Sequence, residues 1–178
     1  EDYAADIRRI LAAFGTDSKD WRNKLLGALH ATSFVMAVNA GDRSKWISKP
    51  GDIYLATERL KELFAGVTDV LLVDDDYTCL HGEEVRELLE ACGAARYLQP
   101  VEVRPDLSSE ELREIRRNAG LERYSGYIHT EDYTLRGLDE LLDAIPKLAP
   151  ESCVKKAALL WTALADVENR RGSSAFSG

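Results

Sequence analysis

The sequence is short of the residues that staple, break or anchor a chain. It has three cysteines (Cys79, Cys92 and Cys153), five prolines in 178 residues, and aromatics at 8%. An odd, widely spaced cysteine set is not a disulfide framework, which points to a reducing compartment and a cytoplasmic location. No apolar run approaches the ~18–20 residues of a spanning helix, and no basic, apolar and small-residue leader opens the chain. There is no Gly-x-Gly-x-x-Gly, no phosphate-binding Gly-rich loop and no Gly-x-Ser-x-Gly, so the standard sequence signals for dinucleotides, nucleoside triphosphates and serine hydrolases are missing. Cations are also in deficit: 23 Lys and Arg face 31 Asp and Glu, a net charge of −8. Such a field repels phosphate and disfavours nonspecific binding to nucleic acid or anionic lipid.

What is present is ordinary globular composition, 45% hydrophobic and 30% charged, at a length that supports one domain or two small ones. A chain near 150 residues buries about 68–70% of its unfolded surface, so a core forms without staples. Apolar spacing predicts a helix over 3–14 and a second, capped at Asp17 or Ser18, with Trp21, Leu25 and Leu29 on its buried face. His30 stands at the end of that helix, where a cation suits the dipole. Phe34–Ala40 reads as a strand, with Lys45–Ser48 returning as a hairpin partner. Short strands are expected near 53, 71 and 97, and helices over 57–64, 83–92, 109–119, 134–148 and 152–171. The last of these runs through Val154, Ala158, Trp161, Leu164 and Val167. Ser108-Ser-Glu-Glu111 has the pattern of a capping box. The fold class is therefore helix-rich α+β with a small hairpin; the alternative is a small α/β unit in residues 50–104. Residues 1–48 and 50–172 are the expected subdomains and 173–178 a tail, the whole having the look of an excised piece of a longer protein.

Asp74-Asp75-Asp76 directly follows a buried strand and is the sharpest local candidate for chemistry. Three carboxylates there can hold Mg²⁺ for phosphoryl transfer, but Asp is also favoured in turns for its local hydrogen bonds. Glu102-Val-Arg104 downstream has the outline of the Glu-x-Lys part of metal-dependent nucleases, with an always-protonated Arg where a tunable Lys belongs. Cys79, His81 and Cys92 offer three soft ligands, without the paired spacing of a zinc site; Cys92 sits on the apolar side of its helix. Arg113, Arg116 and Arg117 form a basic stripe within reach of Glu110, Glu111 and Glu114. Tyr124 and Tyr127, close to Arg123, add aromatic contact groups, so the partner-binding candidates are Arg113, Arg116, Arg117, Tyr124 and Tyr127. Two helices and a hairpin in residues 1–48 also fit a winged-helix DNA binder, against the acidic balance.

Several phrases occur together: Trp46-Ile-Ser-Lys-Pro-Gly-Asp-Ile-Tyr-Leu55, Leu60-Lys-Glu-Leu-Phe64, Leu88-Leu-Glu-Ala-Cys-Gly93, Leu135-Arg-Gly-Leu-Asp-Glu-Leu-Leu142 and Leu159-Leu-Trp-Thr-Ala-Leu164. This set resembles the region downstream of the ATP-binding domain in large bacterial sacsin-like proteins, whose ATPase is of the heat-shock-chaperone (GHKL) type. Glu114-Ile-Arg-Arg-Asn118-Ala119 is similar to part of the nucleotide helix of that family. Leu121 stands where the family has Asp, and no Asp-x-Gly-x-Gly lid follows, so the resemblance carries no ATP site onto these residues. It implies ATP and Mg²⁺ for the parent protein only. For this segment it implies no cofactor and a non-catalytic scaffold role: contact with its own ATPase domain and with a protein client.

Overall fold

A computed structural model describes residues 3–15, 18–103, 108–120 and 132–175. The chain is helix-rich α+β. Helices α1 (Tyr3–Phe14) and α2 (Lys19–Ala31) lead into the hairpin β1 (Val35–Asn39) and β2 (Lys45–Ser48). Then come α3 (Glu58–Phe64), β3 (Leu71–Val73) and α4 (Asp75–Ala91), followed by β4 (Pro100–Val103), α5 (Ser109–Asn118) and β5 (Asp132–Leu135). Helices α6 (Leu138–Ala144) and α7 (Pro150–Ala175) close the order. Among these helices none is long and apolar enough to cross a membrane.

The main sheet has the order β2-β1-β3, antiparallel throughout. The stretch Ile53–Leu55 extends it. The Tyr54 amide donates to Leu71 and the Tyr54 carbonyl accepts from Val73, while the Leu55 amide donates to Ala95 and the Ile53 carbonyl accepts from Ala95, all at 2.9–3.1 Å. Both of these bridges are parallel. They add two isolated links, Tyr54 to Leu72 and Tyr54 to Ala95, within the α+β fold. A second ribbon pairs β4 with β5.

The two expected subdomains share one interior. Ile7 from α1, Val35 and Ala37 from β1, Ile53 and Leu55, Val73, and Val85 and Leu89 from α4 pack as a single cluster. The hairpin is thus a wall of a common core. On the other side, Tyr54 and Phe64 stack with ring centres 5.3 Å apart. Each is fully buried and contributes about 1.5–3 kcal/mol in burial. The Tyr54 hydroxyl donates to the Arg136 carbonyl at 3.0 Å and accepts from the Gln99 amide at 3.1 Å. One buried phenol thereby ties Tyr54, beside the main sheet, to the residues flanking both strands of the second ribbon. Gly137 has φ +77°, and a Cβ there would lie 2.6 Å from a Val70 methyl and 3.1 Å from the Phe64 ring. Only glycine lets α6 start this close to the core.

Two expectations change here. The helix expected over 134–148 is shorter: Thr134 and Leu135 belong to β5, and helix begins only after Gly137. Pairing with β4 and the left-handed glycine override the apolar spacing that favours helix. Conversely, α4 starts at Asp75, well before the expected 83, and is broken by non-helical backbone at Gly82 (φ 64°, ψ −150°). The capping box at α5 is formed in full, with Ser108 and Glu111 bonding each other's amides.

Candidate functional site

The aspartate triplet is the amino-terminal cap of α4. The Asp74 carboxylate accepts from the Asp76 amide at 3.1 Å, and Asp75 and Asp76 occupy the first turn, where negative charge complements the helix dipole. Each carboxylate also has a cation. Lys45 on β2 places its ammonium 2.7 Å from Asp74 and 3.3 Å from Asp76. Lys61 on α3 lies 3.0 Å from Asp75 and 2.8 Å from Glu58. Asp74 itself is 5% exposed. Burial raises its carboxyl, but the Lys45 ammonium and the Asp76 amide outweigh that and hold it below the usual carboxylate value. Asp74 and Asp76 thus share Lys45, while Asp75 is held by Lys61. Among the described residues no group of three His, Cys, Asp or Glu gathers in a way that could hold a metal ion. The arrangement joins β2 and α3 to the start of α4 by charge.

The other sequence candidates are dispersed. Cys92 is buried in the α2–α4 cluster, and burial pushes its thiol up to about 11, far from a reactive thiolate. Cys79 and His81 lie in the α4 backbone, their side chains outside those described. Glu102 sits on β4 opposite Tyr133, and Arg104 lies outside the described residues. His30 does end α2, and its Nδ1 donates to the Cys92 carbonyl at 2.9 Å, joining the carboxyl ends of α2 and α4. Arg113, Arg116 and Arg117 are exposed on α5 beside a half-exposed Ile115. Tyr124 and Tyr127, and the Arg123 expected beside them, lie outside the described residues.

Sequence reasoning missed the surface built by α6 and α7. Helix α7 carries two apolar stripes. Leu160 and Ala163 face inward with Lys156, whose ammonium donates to the Ala65 carbonyl at 2.6 Å, at the carboxyl end of α3. Burial lowers the Lys156 ammonium below its ordinary value, with Glu62 acting the other way. Val154, Ala157, Ala158, Trp161 and Ala165 recur at helical spacing on the outward side. Val154 is 70% and Trp161 76% exposed, and Leu142 of α6 beside them is half exposed. Leu138, Leu142 and Ile145 of α6 line one side of a groove of about 620 Å³, and Ala157, Ala158 and Trp161 line the other, with Leu160 and Leu164 reaching it from the core. A second apolar exposure lies on the edge strand β2, at Trp46 and Ile47. Its outer side is unpaired among the described residues, and Lys45 supplies the charge that blunts such edges. The signal for the α7 surface was in the sequence: a helix apolar on more than one side has more than one face to cover.

Comparison of the chain with protein-family models, with curated proteins and with solved structures gives no match.

Proposed function

We propose that this chain is a non-catalytic interaction module that binds another protein through the outward face of α6 and α7. The observation that carries the reading is the groove whose exposed Trp161 and Leu142 share one apolar surface, with exposed Val154 on the same face of α7. Contiguous exposed apolar area on a folded domain marks a contact site, and tryptophan is prominent among the residues that dominate binding energy. The acids that looked fit for catalysis are meanwhile each engaged by a lysine. The resemblance to sacsin-like proteins supplies an expected partner, the ATPase domain of a parent chain, with a protein client as the second contact.

The test is site-specific photocrosslinking in the cell, with the reactive residue placed in turn at Trp161, Trp46 and Arg113, and adducts identified by mass spectrometry. The expected result is one recurrent protein adduct from Trp161 and far less from Arg113. An absence of adducts at all three positions overturns the proposal. So does a Mg²⁺-induced rise in melting temperature that Asp74→Ala abolishes, because that is the signature of a metal site at the triplet.

A further inference from the structure

We infer that the α6–α7 groove receives a single amphipathic helix with basic residues along the edge of its apolar stripe. This rests on the reading of the face as a protein-contact surface and names the chemistry of the partner.

The dimensions come first. The groove is lined on α7 from Ala157 to Leu164, about 10 Å at 1.5 Å per residue, and the exposed stripe continues to Val154 and Ala165 on either side. Two turns of lining with an apolar margin at each end can seat a short helix. The spacing 154, 157, 158, 161 and 165 is the i, i+3, i+4, i+7 pattern by which one helix packs along another. Ala157 and Ala158 keep the lining short enough for a backbone to approach, while Trp161 and Leu142 add larger apolar side chains to it. A helix that lays its apolar side into such a groove is an established recognition mode.

Charge then selects the occupant. Asp139 and Asp143 are exposed on α6, one helical step outward from the Leu138–Leu142–Ile145 stripe, and Glu151 stands exposed one turn before Val154. None of the three has an ion pair among the described residues. The exposed lysine nearest on α7, Lys155, is bound to Glu62 of α3. Exposed Lys147 follows Ile145 at one end of the groove, so the groove is apolar within and its edges carry three acids against one lysine, acidic on balance. Lys or Arg flanking an incoming apolar stripe would neutralise Asp139 and Asp143. A second copy of this chain would bring the same acids against each other on top of a net charge of −8 per copy, which disfavours self-association.

The experiment uses the full chain and two synthetic 18-residue helix-forming peptides with identical Leu and Ala stripes. One carries Lys on its polar side and the other Glu. Binding is read by fluorescence anisotropy of the labelled peptide over a salt series, and the state of the chain by analytical ultracentrifugation. The Lys peptide should bind at least about tenfold more tightly than the Glu peptide. Trp161→Ala, and independently Ala158→Glu in the lining, should weaken it by about tenfold or more, the scale of a lost anchor. Asp139→Asn with Asp143→Asn should weaken it several-fold and flatten the salt dependence. Glu84→Gln with Glu87→Gln, remote acids on α4, should leave it unchanged. Equal binding of both peptides, binding of neither, or equal loss in the α4 control overturns the inference, and so does a dimer of the chain that the Lys peptide does not dissociate. If the peptides fail while crosslinks at Trp161 persist, this inference alone falls; if the crosslinks vanish as well, the proposed function falls with it.

Discussion

The inward and outward faces of α7 are made from the same residue types and have opposite fates. Leu160 and Ala163 are buried against α3 and the Tyr54–Phe64 stack, whereas Val154 and Trp161, one face around, stand in solvent. A single helix wheel does not distinguish them. The inward face even includes a lysine, because Lys156 finds the carbonyl of Ala65 at the end of α3. Burial here follows the neighbour that happens to be opposite, and the polarity of the side chain comes second. A similar contrast separates the two ends of the sheet-and-helix body. The α4 end is rich in charge that is answered internally, and the α6–α7 end is rich in apolar surface that no other described residue covers.

Mutations can sharpen or break that contrast. The largest effect is expected where α6 meets the core. Gly137→Ala adds a Cβ into the Val70 methyl and the Phe64 ring at a left-handed backbone position, at a cost of about 3–4 kcal/mol from strain and overpacking together. Urea denaturation should register this as a lower midpoint with the slope kept. Leu160→Ala, on the inward face of α7, should lose about 2–3 kcal/mol by the same measurement, the usual cost of a cavity in a packed core.

At the other end of the body, Asp74→Ala removes a helix cap and the anchor of Lys45, and should lose about 1 kcal/mol at neutral pH. The sign of its pH dependence follows from its depressed folded value. An unfolded Asp titrates near ~3.9, so the stabilisation is complete above that pH and disappears as pH falls through the lower folded value. Thermal melts of the parent between neutrality and pH 3 should slope more steeply than those of Asp74→Ala; parallel curves would show that the triplet is not the charge-linked joint described here. The smallest effect belongs to the outward face. Trp161→Ala should change stability by no more than about 0.5 kcal/mol, despite removing the largest side chain on the helix. A loss as large as that of Leu160→Ala would erase the distinction between the two faces and with it the case for a docking surface.

Much of the element order was legible, and for local reasons. Ser18 accepts from the Trp21 amide, Thr57 from the Leu60 amide, and Ser108 closes its box with Glu111. Such caps depend on residues within one turn, which the sequence displays directly. The segment around Gly137 was misread because its helical spacing was genuine, yet strand pairing with β4 claimed Thr134 and Leu135 first. Trp21, on the face whose spacing predicts burial, is more than half exposed, while Leu29, about two turns along the same stripe, is buried. The aspartate triplet drew attention as chemistry because neither Lys45 nor Lys61 is near it in the chain; the salt bridges span about 30 and 14 residues of sequence.

The sequence alone determined the capped starts of α2, α3 and α5, the hairpin, the acidic balance and the helix-rich α+β class, because these rest on backbone caps, turn residues, side-chain period and summed charge. Which apolar stripe of α7 became core, which lysine met which aspartate, and which face was left open were decided only when distant segments came together. Those outcomes depend on the shape of the surface opposite, and no residue carries that information by itself.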